Sequence, residues 1–198
     1  MNTGFTIWFT GLPGTGKSTL SSLVKKALIA RGHKVEIINS QTLSYWLKHE
    51  LHIEEDIHED RSHVPGYDAF ITYICTLLAR NGIITITVSV SPSQEARTHA
   101  REHIQHFIEV YLHCPPHLRH QRLEGPASSI TEQVYQPPSR AELSIDTSLE
   151  LPERSALRII AYLEQCGYVA PIWEGASTSD EEEIELVKAR LQALGYLE

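Results

Sequence analysis

Cysteine, methionine and positive charge are all scarce in this 198-residue chain, which has three Cys, one Met, and 17 Lys and Arg against 25 Asp and Glu, for a net charge of −8. Three cysteines, Cys75, Cys114 and Cys166, at no regular spacing exclude a disulfide framework. Cys75 and Cys114 sit in apolar surroundings and are expected to be buried free thiols in a reducing cytoplasm. The acidic balance excludes a general nucleic-acid-binding surface, while a local basic pocket for one nucleotide stays open. No apolar run is long enough to cross a bilayer and no signal peptide is recognisable, so the expectation is a cytoplasmic protein without a membrane partner. Histidine is the exception to this sparseness, with eleven residues. His99, His103 and His106 could share a helix face. No Cys or carboxylate stands beside them at metal-ligand spacing, so a solvated face is expected rather than a metal site.

What is present is concentrated near the start. Gly11-Leu-Pro-Gly14-Thr15-Gly16-Lys17-Ser18-Thr19 satisfies every fixed position of G-x-x-x-x-G-K-[ST]. An apolar run rich in β-formers, residues 5–10, precedes it. Leu20, Leu23, Val24, Ala27 and Leu28 follow at three- and four-residue spacing, which predicts an amphipathic helix over residues 17–31. Strand, glycine loop and helix form the setting in which this motif binds phosphate. Backbone N–H groups turn inward and the helix N-terminus adds partial positive charge. Lys17 then reaches the β- and γ-phosphates of a nucleotide, and the Ser18 hydroxyl completes a Mg²⁺ shell. The Asn/Thr-Lys-x-Asp signature of a guanine pocket is missing, which leaves ATP as the expected nucleotide.

Strand and helix signals alternate along the rest of the chain. Strands are expected at 34–38, 83–88, 107–112 and 143–146, and helices at 42–51, 67–80, from 91–93 to about 103, 116–122 and 152–166. Gly32 is the expected C-terminal cap of the first helix. Residues 52–66, acidic, histidine-rich and closed by Pro65-Gly66, read as a loop. The polar segment 123–138 reads as a mobile, lid-like stretch of the kind that closes over ATP and excludes water. This order predicts an α/β fold of the P-loop NTPase and kinase class: a parallel sheet of about five strands with helices on both faces. Residues 1–170 form the expected kinase domain, and 171–198 an acidic C-terminal extension with a helix.

Four stretches resemble the adenylyl-sulfate kinase (APS kinase) family. They are residues 4–19; Arg31-Gly-His-Lys-Val-Glu36; Val90-Ser91-Pro92 with Glu95 and Arg97; and Phe107-Ile-Glu-Val-Tyr111 with Tyr135-Gln-Pro-Pro138 and Ile145-Asp-Thr147. The resemblance covers roughly residues 4–168. It implies transfer of the ATP γ-phosphoryl to the 3′-hydroxyl of adenylyl sulfate, with Mg²⁺. It also implies that Gly11, Gly14, Thr15, Gly16, Lys17, Ser18 and Thr19 hold ATP and its metal, and that Arg122 lies against the adenine. Ser91 matches a serine often assigned to the active site; in-line transfer needs no covalent intermediate, so it reads as a strand-end hydroxyl beside the phosphates. Together with Lys17 it completes the candidate catalytic pair, and Pro92 continues the acceptor side. A homodimer is what the family leads one to expect.

The departures from the family fall on the acceptor side. Its Asp-Gly-Asp-x-x-Arg is replaced by Asn39-Ser40-Gln41-Thr42-Leu43-Ser44. Asn39 can hydrogen-bond but cannot take a proton. The Arg-x-x-Asn-x-x-Arg that holds the sulfate and adenylyl phosphate has no clear counterpart; Arg61 lies nearest. The lid is shortened and has lost its lysines and aromatic residue. Asn39, Gln41, Arg61, Ser91 and Pro92 are the candidate acceptor contacts. Lys48, Arg61, Arg97 and Arg101 are candidates to replace the lost cations, and Asp56, His58, Asp60 or His63 to act as base. Three readings follow: a kinase acting on adenylyl sulfate, a kinase of the same fold with another nucleotide or small alcohol as acceptor, or a nucleotide-binding regulatory domain working with a sulfate-activating partner.

Overall fold

The computed structural model describes residues 4–50, 67–123 and 129–171. Five parallel strands form one sheet in the order β2-β3-β1-β4-β5. They are β1 (Thr6–Thr10), β2 (Val35–Asn39), β3 (Ile84–Val88), β4 (Phe107–His113) and β5 (Leu143–Asp146). Helices α1 (Lys17–Ala30), α2 (Ser40–Glu50), α3 (Tyr67–Arg80), α4 (Gln94–His103), α5 (Pro116–Arg122), α6 (Ser129–Val134) and α7 (Pro152–Gln165) connect or flank them.

Every residue of β1 and β3 is buried, as befits central strands covered on both faces. Their β-branched and aromatic residues alternate between two cores. Phe5, Ile7 and Phe9 meet Leu20, Val24 and Leu28 of α1 and Ile159, Ile160 and Leu163 of α7. On the opposite face Trp8 packs with Ile71 and Cys75 of α3, Ala100 of α4, Ile104 and Phe107. The register places Ile7 between Ile86 of β3 and Ile108 of β4. Thr6 and Thr85 share a buried hydroxyl–hydroxyl hydrogen bond of 2.7 Å, which satisfies both groups in an apolar layer.

The chain leaves β1 toward β2 on one side of the sheet, whereas β3 and β4 send it toward the other. Such a reversal opens a crevice at the carboxyl ends of the strands, the usual ligand position in open α/β sheets. The loop after β1 lies at that crevice.

Within the segment 123–138, expected to be mobile and lid-like, Ser129–Val134 form α6 and Tyr135 is buried. That helix is short and polar and has no apolar periodicity to betray it. The expected loop at 52–66 and the acidic helix of the C-terminal extension lie outside the described residues. All three cysteines are free thiols; only Cys75 is fully buried, Cys114 is half-buried and Cys166 exposed. Burial pushes the Cys75 thiol up to about 12, which keeps it protonated and unreactive. His99 and His103 stack in the solvent at 4.0 Å between ring centres. Among the described residues no cluster of His, Cys, Asp or Glu could hold a metal ion, and no helix is long and apolar enough to cross a membrane.

Candidate active site

The loop 11–16 is shaped by glycines at positions where a side chain could not stand. Gly11 has φ 146°, and a Cβ there would run into the Leu112 carbonyl oxygen. Gly14 has φ 79°, and a Cβ would come within 2.6 Å of the Arg119 carbonyl oxygen. The loop thus lies directly on β4 and α5, which no bulkier backbone could do. Thr15 is buried and its hydroxyl donates to the Leu12 carbonyl at 2.8 Å, closing the turn from inside. Gly16 caps α1, whose first turn carries Lys17 and the exposed Ser18 and Thr19.

Lys17 Nζ donates to the carbonyl oxygens of Gly11 at 2.6 Å and Leu12 at 3.0 Å, which holds the ammonium over the loop. Desolvation, with a smaller contribution from the Arg119 guanidinium, lowers Lys17 to about 7. Two cations close together, at the N-terminus of a 14-residue helix, make a site that a polyphosphate would stabilise. Arg119 was not singled out in the sequence, where it reads as one more polar residue of a short helix. It is 4% exposed, and its Nη1 donates to Glu132 Oε1 of α6 at 2.7 Å. Arg122 projects from the end of α5 and donates to the hydroxyl and the carbonyl of Thr147, both at 3.0 Å. That places its exposed guanidinium plane beside the end of β5, at the edge of the crevice.

The residues expected on the acceptor side stand at the ends of β2 and β3. Asn39 closes β2 opposite Val88. Gln41 lies in the first turn of α2. Ser91 follows β3 with φ 42°, the one described non-glycine residue with positive φ. All of its polar groups are engaged. Its N–H donates to Ser89 Oγ at 3.2 Å, its hydroxyl donates to Asp68 Oδ1 at 3.0 Å, and its carbonyl accepts from Arg97 Nη1. A strained residue held by three partners is a feature that clusters at functional sites. Pro92 is buried, and its carbonyl accepts from the Gln136 N–H at 2.9 Å. The site is drawn together by Thr10, which precedes the loop. Its hydroxyl donates to the Val90 carbonyl at 2.6 Å and meets the Tyr135 hydroxyl at 3.1 Å.

Two candidate cations are already occupied within the fold. Arg97 pairs with Glu109 at 2.8 Å and both are buried; Arg101 pairs with Glu109 at 3.2 Å and with Glu142. Glu109 and Glu142 lie in and beside β4 and β5, so these arginines brace the sheet rather than replace the missing acceptor contacts. Asp56, His58, Asp60, Arg61 and His63, and the side chains of Gln41 and Lys48, lie outside the described residues. Asp68 went unnoticed in the sequence because it is one acid in an apolar helix. Desolvation raises its carboxyl above the usual range, against the opposing effects of the Ser91 hydrogen bond and the Arg97 charge.

Comparison with known proteins agrees with this geometry. The family model for adenylylsulphate kinase matches residues 3–146. The probable adenylyl-sulfate kinase of Pyrococcus abyssi is 32% identical over 177 residues, covering 84% of this chain and 98% of that one. The adenylyl-sulfate kinase of Halothermothrix orenii is 33% identical, with 84% and 92% covered. The APS kinase of Mycobacterium tuberculosis, solved in complex with AMPPNP and APS, superposes with a TM-score of 0.68 at 25% identity, covering 83% of this chain and 99% of that one. A phosphate loop at the switch of a parallel five-stranded sheet and relatives matched over most of their length lead to one assignment: the chain is a P-loop kinase and belongs to the adenylylsulphate kinase family.

Proposed function

We propose that this protein transfers the γ-phosphoryl of ATP to the 3′-hydroxyl of adenylyl sulfate. The observation that carries the reading is the loop 11–19, complete in its cation, helix terminus and hydroxyls, in a chain of this family. Backbone N–H groups of the loop and the α1 terminus bind the β- and γ-phosphates, and Lys17 and Arg119 offset their charge. Arg122, fixed on Thr147, supports the adenine. Ser18 is exposed on the first turn of α1, and no described carboxylate cage stands near it. That donor set fits Mg²⁺, which binds through few protein ligands and enters with the substrate phosphates. Ser18 would hold it, and bound there it would neutralise charge on the transferred group. Asn39, Ser91 and Pro92 line the side from which the acceptor hydroxyl approaches.

A second reading, an acceptor without the sulfate anion, is favoured by the engagement of Arg97 and Arg101 with Glu109 and Glu142. Among the candidate cations with described side chains, neither is left over for an anhydride that needs charge-assisted contacts. A turnover assay with Mg²⁺·ATP and adenylyl sulfate, following the 3′-phosphorylated product and ADP together, tests both. Stoichiometric product supports the first reading. ADP formed only with other nucleotides or small alcohols overturns it in favour of the second. ATP bound with no transfer to any alcohol overturns both and points to a regulatory domain.

A further inference from the structure

The crevice needs a group to receive the acceptor's proton, and Asn39 at the end of β2 cannot do so. Among the described residues, the neighbouring carboxylates are accounted for. Glu109 is tied to Arg97 and Arg101, and Glu132 to Arg119 and His120. Asp146, at the far edge on β5, accepts from the N–H and hydroxyl of Ser148. Asp68 lies elsewhere, in the first turn of α3. Its neighbour Tyr67 donates its hydroxyl to the Ser40 carbonyl, which ties this turn to the residue after Asn39. Its own Oδ1 accepts from Ser91, just past β3. Asp68 is therefore held at the ends of β2 and β3; β3 neighbours β1, whose Thr10 hydroxyl donates to the carbonyl of Val90, the residue before Ser91. Oδ2 makes no hydrogen bond to a described residue.

We infer that Asp68 is the catalytic base of this kinase, held by Ser91 and accepting the proton of the acceptor hydroxyl on Oδ2. The inference rests on the kinase reading above and deepens it. In the step, the acceptor oxygen forms a bond to the γ-phosphorus, and the bond from that phosphorus to the β,γ-bridging oxygen breaks with its electron pair leaving on ADP. The hydroxyl proton passes to Asp68 and from there to water. Ser91 is a positioning residue: its hydroxyl fixes Oδ1 and leaves Oδ2 without a partner among the described residues. Among the described residues, the charged group at Asp68 is Arg97 of α4, which favours the ionised carboxylate, and Ser91 is its hydrogen-bond partner. Partial burial raises the carboxyl's proton affinity above that of an exposed Asp, in the direction a general base requires.

The test compares the wild type with Asp68→Asn, Asp68→Glu and Ser91→Ala, using Mg²⁺·ATP and adenylyl sulfate. Asp68→Asn should lower kcat by about 10²-fold or more, leave ATP affinity within a factor of two, and abolish the acid limb of the kcat–pH profile. Asp68→Glu should recover part of the rate together with an acid limb. Ser91→Ala should move that limb to higher pH, because it removes a hydrogen bond to the charged form. A structural role alone would not move the limb. An Asp68→Asn protein with wild-type kcat, or one that keeps the acid limb, overturns the assignment and leaves the kinase reading intact. If Asp68→Asn does not fold, the Ser91→Ala profile decides, and an unmoved limb overturns it. A wild-type protein that makes no product overturns both inferences together.

Discussion

The two halves of the crevice have been built by different means. On the nucleotide side, between β1, α1 and α5, each element of phosphate binding stands at its motif position and is locked by close backbone contact, as at Gly14 against Arg119. On the proposed acceptor side, at the ends of β2 and β3, the groups are held by tertiary contacts instead of a local motif: Asp68 to Ser91, Tyr67 to Ser40, Arg97 to Ser91. Phosphate recognition demands backbone N–H groups in one geometry, which ties it to glycines at fixed positions such as Gly11 and Gly14. A carboxylate beside a hydroxyl can be supplied from any element that reaches the spot.

The sharpest way to test that division is on the nucleotide side. Lys17→Ala should lower kcat by about 10³-fold, because it removes a charge that strengthens its contacts as negative charge develops on the transferred group. Steady-state ADP release measures it. A loss smaller than tenfold would mean that Arg119 alone carries the γ-phosphate and that the nucleotide side is as redundant as the acceptor side.

Proton linkage is the next largest effect. Lys17 titrates at about 7 in the folded protein, below its ordinary 10.5, and polyphosphate favours the ammonium form. ATP affinity should be flat below pH 7 and fall toward tenfold per pH unit above it, with uptake of up to one proton on binding. Calorimetric titrations at pH 6.5, 7.5 and 8.5 in two buffers of different ionisation enthalpy give the proton count. The sign for folding is the opposite. Between about 7 and 10.5 the unfolded chain binds the extra proton, so this group's contribution makes the protein more stable as pH rises through that window. An affinity that does not change with pH would show that Lys17 stays charged over the loop.

The smallest effect separates the two halves at the adenine. Arg122→Ala should raise KM for ATP by roughly fivefold, the equivalent of about one modest contact, and leave KM for the acceptor unchanged. A change in the acceptor KM of the same size would show that the arginine serves both.

The sheet and most helix bounds were legible because they rest on local signals. The β-branched run 83–88 and the three- and four-residue spacing after Lys17 read directly as β3 and α1, with ends one residue apart from those observed. Helix α6 was not legible, because what holds it is the ion pair from Glu132 to Arg119, a partner 13 residues away. Arg97 and Arg101 looked like spare cations because sequence does not reveal that Glu109 and Glu142 face them. Asp68 was overlooked for the converse reason. The motif points to the end of β2 and the composition to the 52–66 loop, whereas Asp68 stands on α3 and reaches Ser91 only through the fold.

Two contacts bear on how long the segment after α5 can be. Arg119 of α5 rests against Gly14 within the phosphate loop, and Tyr135, after α6, is tied to Thr10 just before it, so the chain is moored to that loop on both sides of the intervening segment. The entropy of closing such a stretch changes by only about 0.6 kcal/mol for each doubling of its length. Between Arg122 and Glu132 a change of length costs little by this measure, so a shortened segment and an intact phosphate loop can coexist in one molecule.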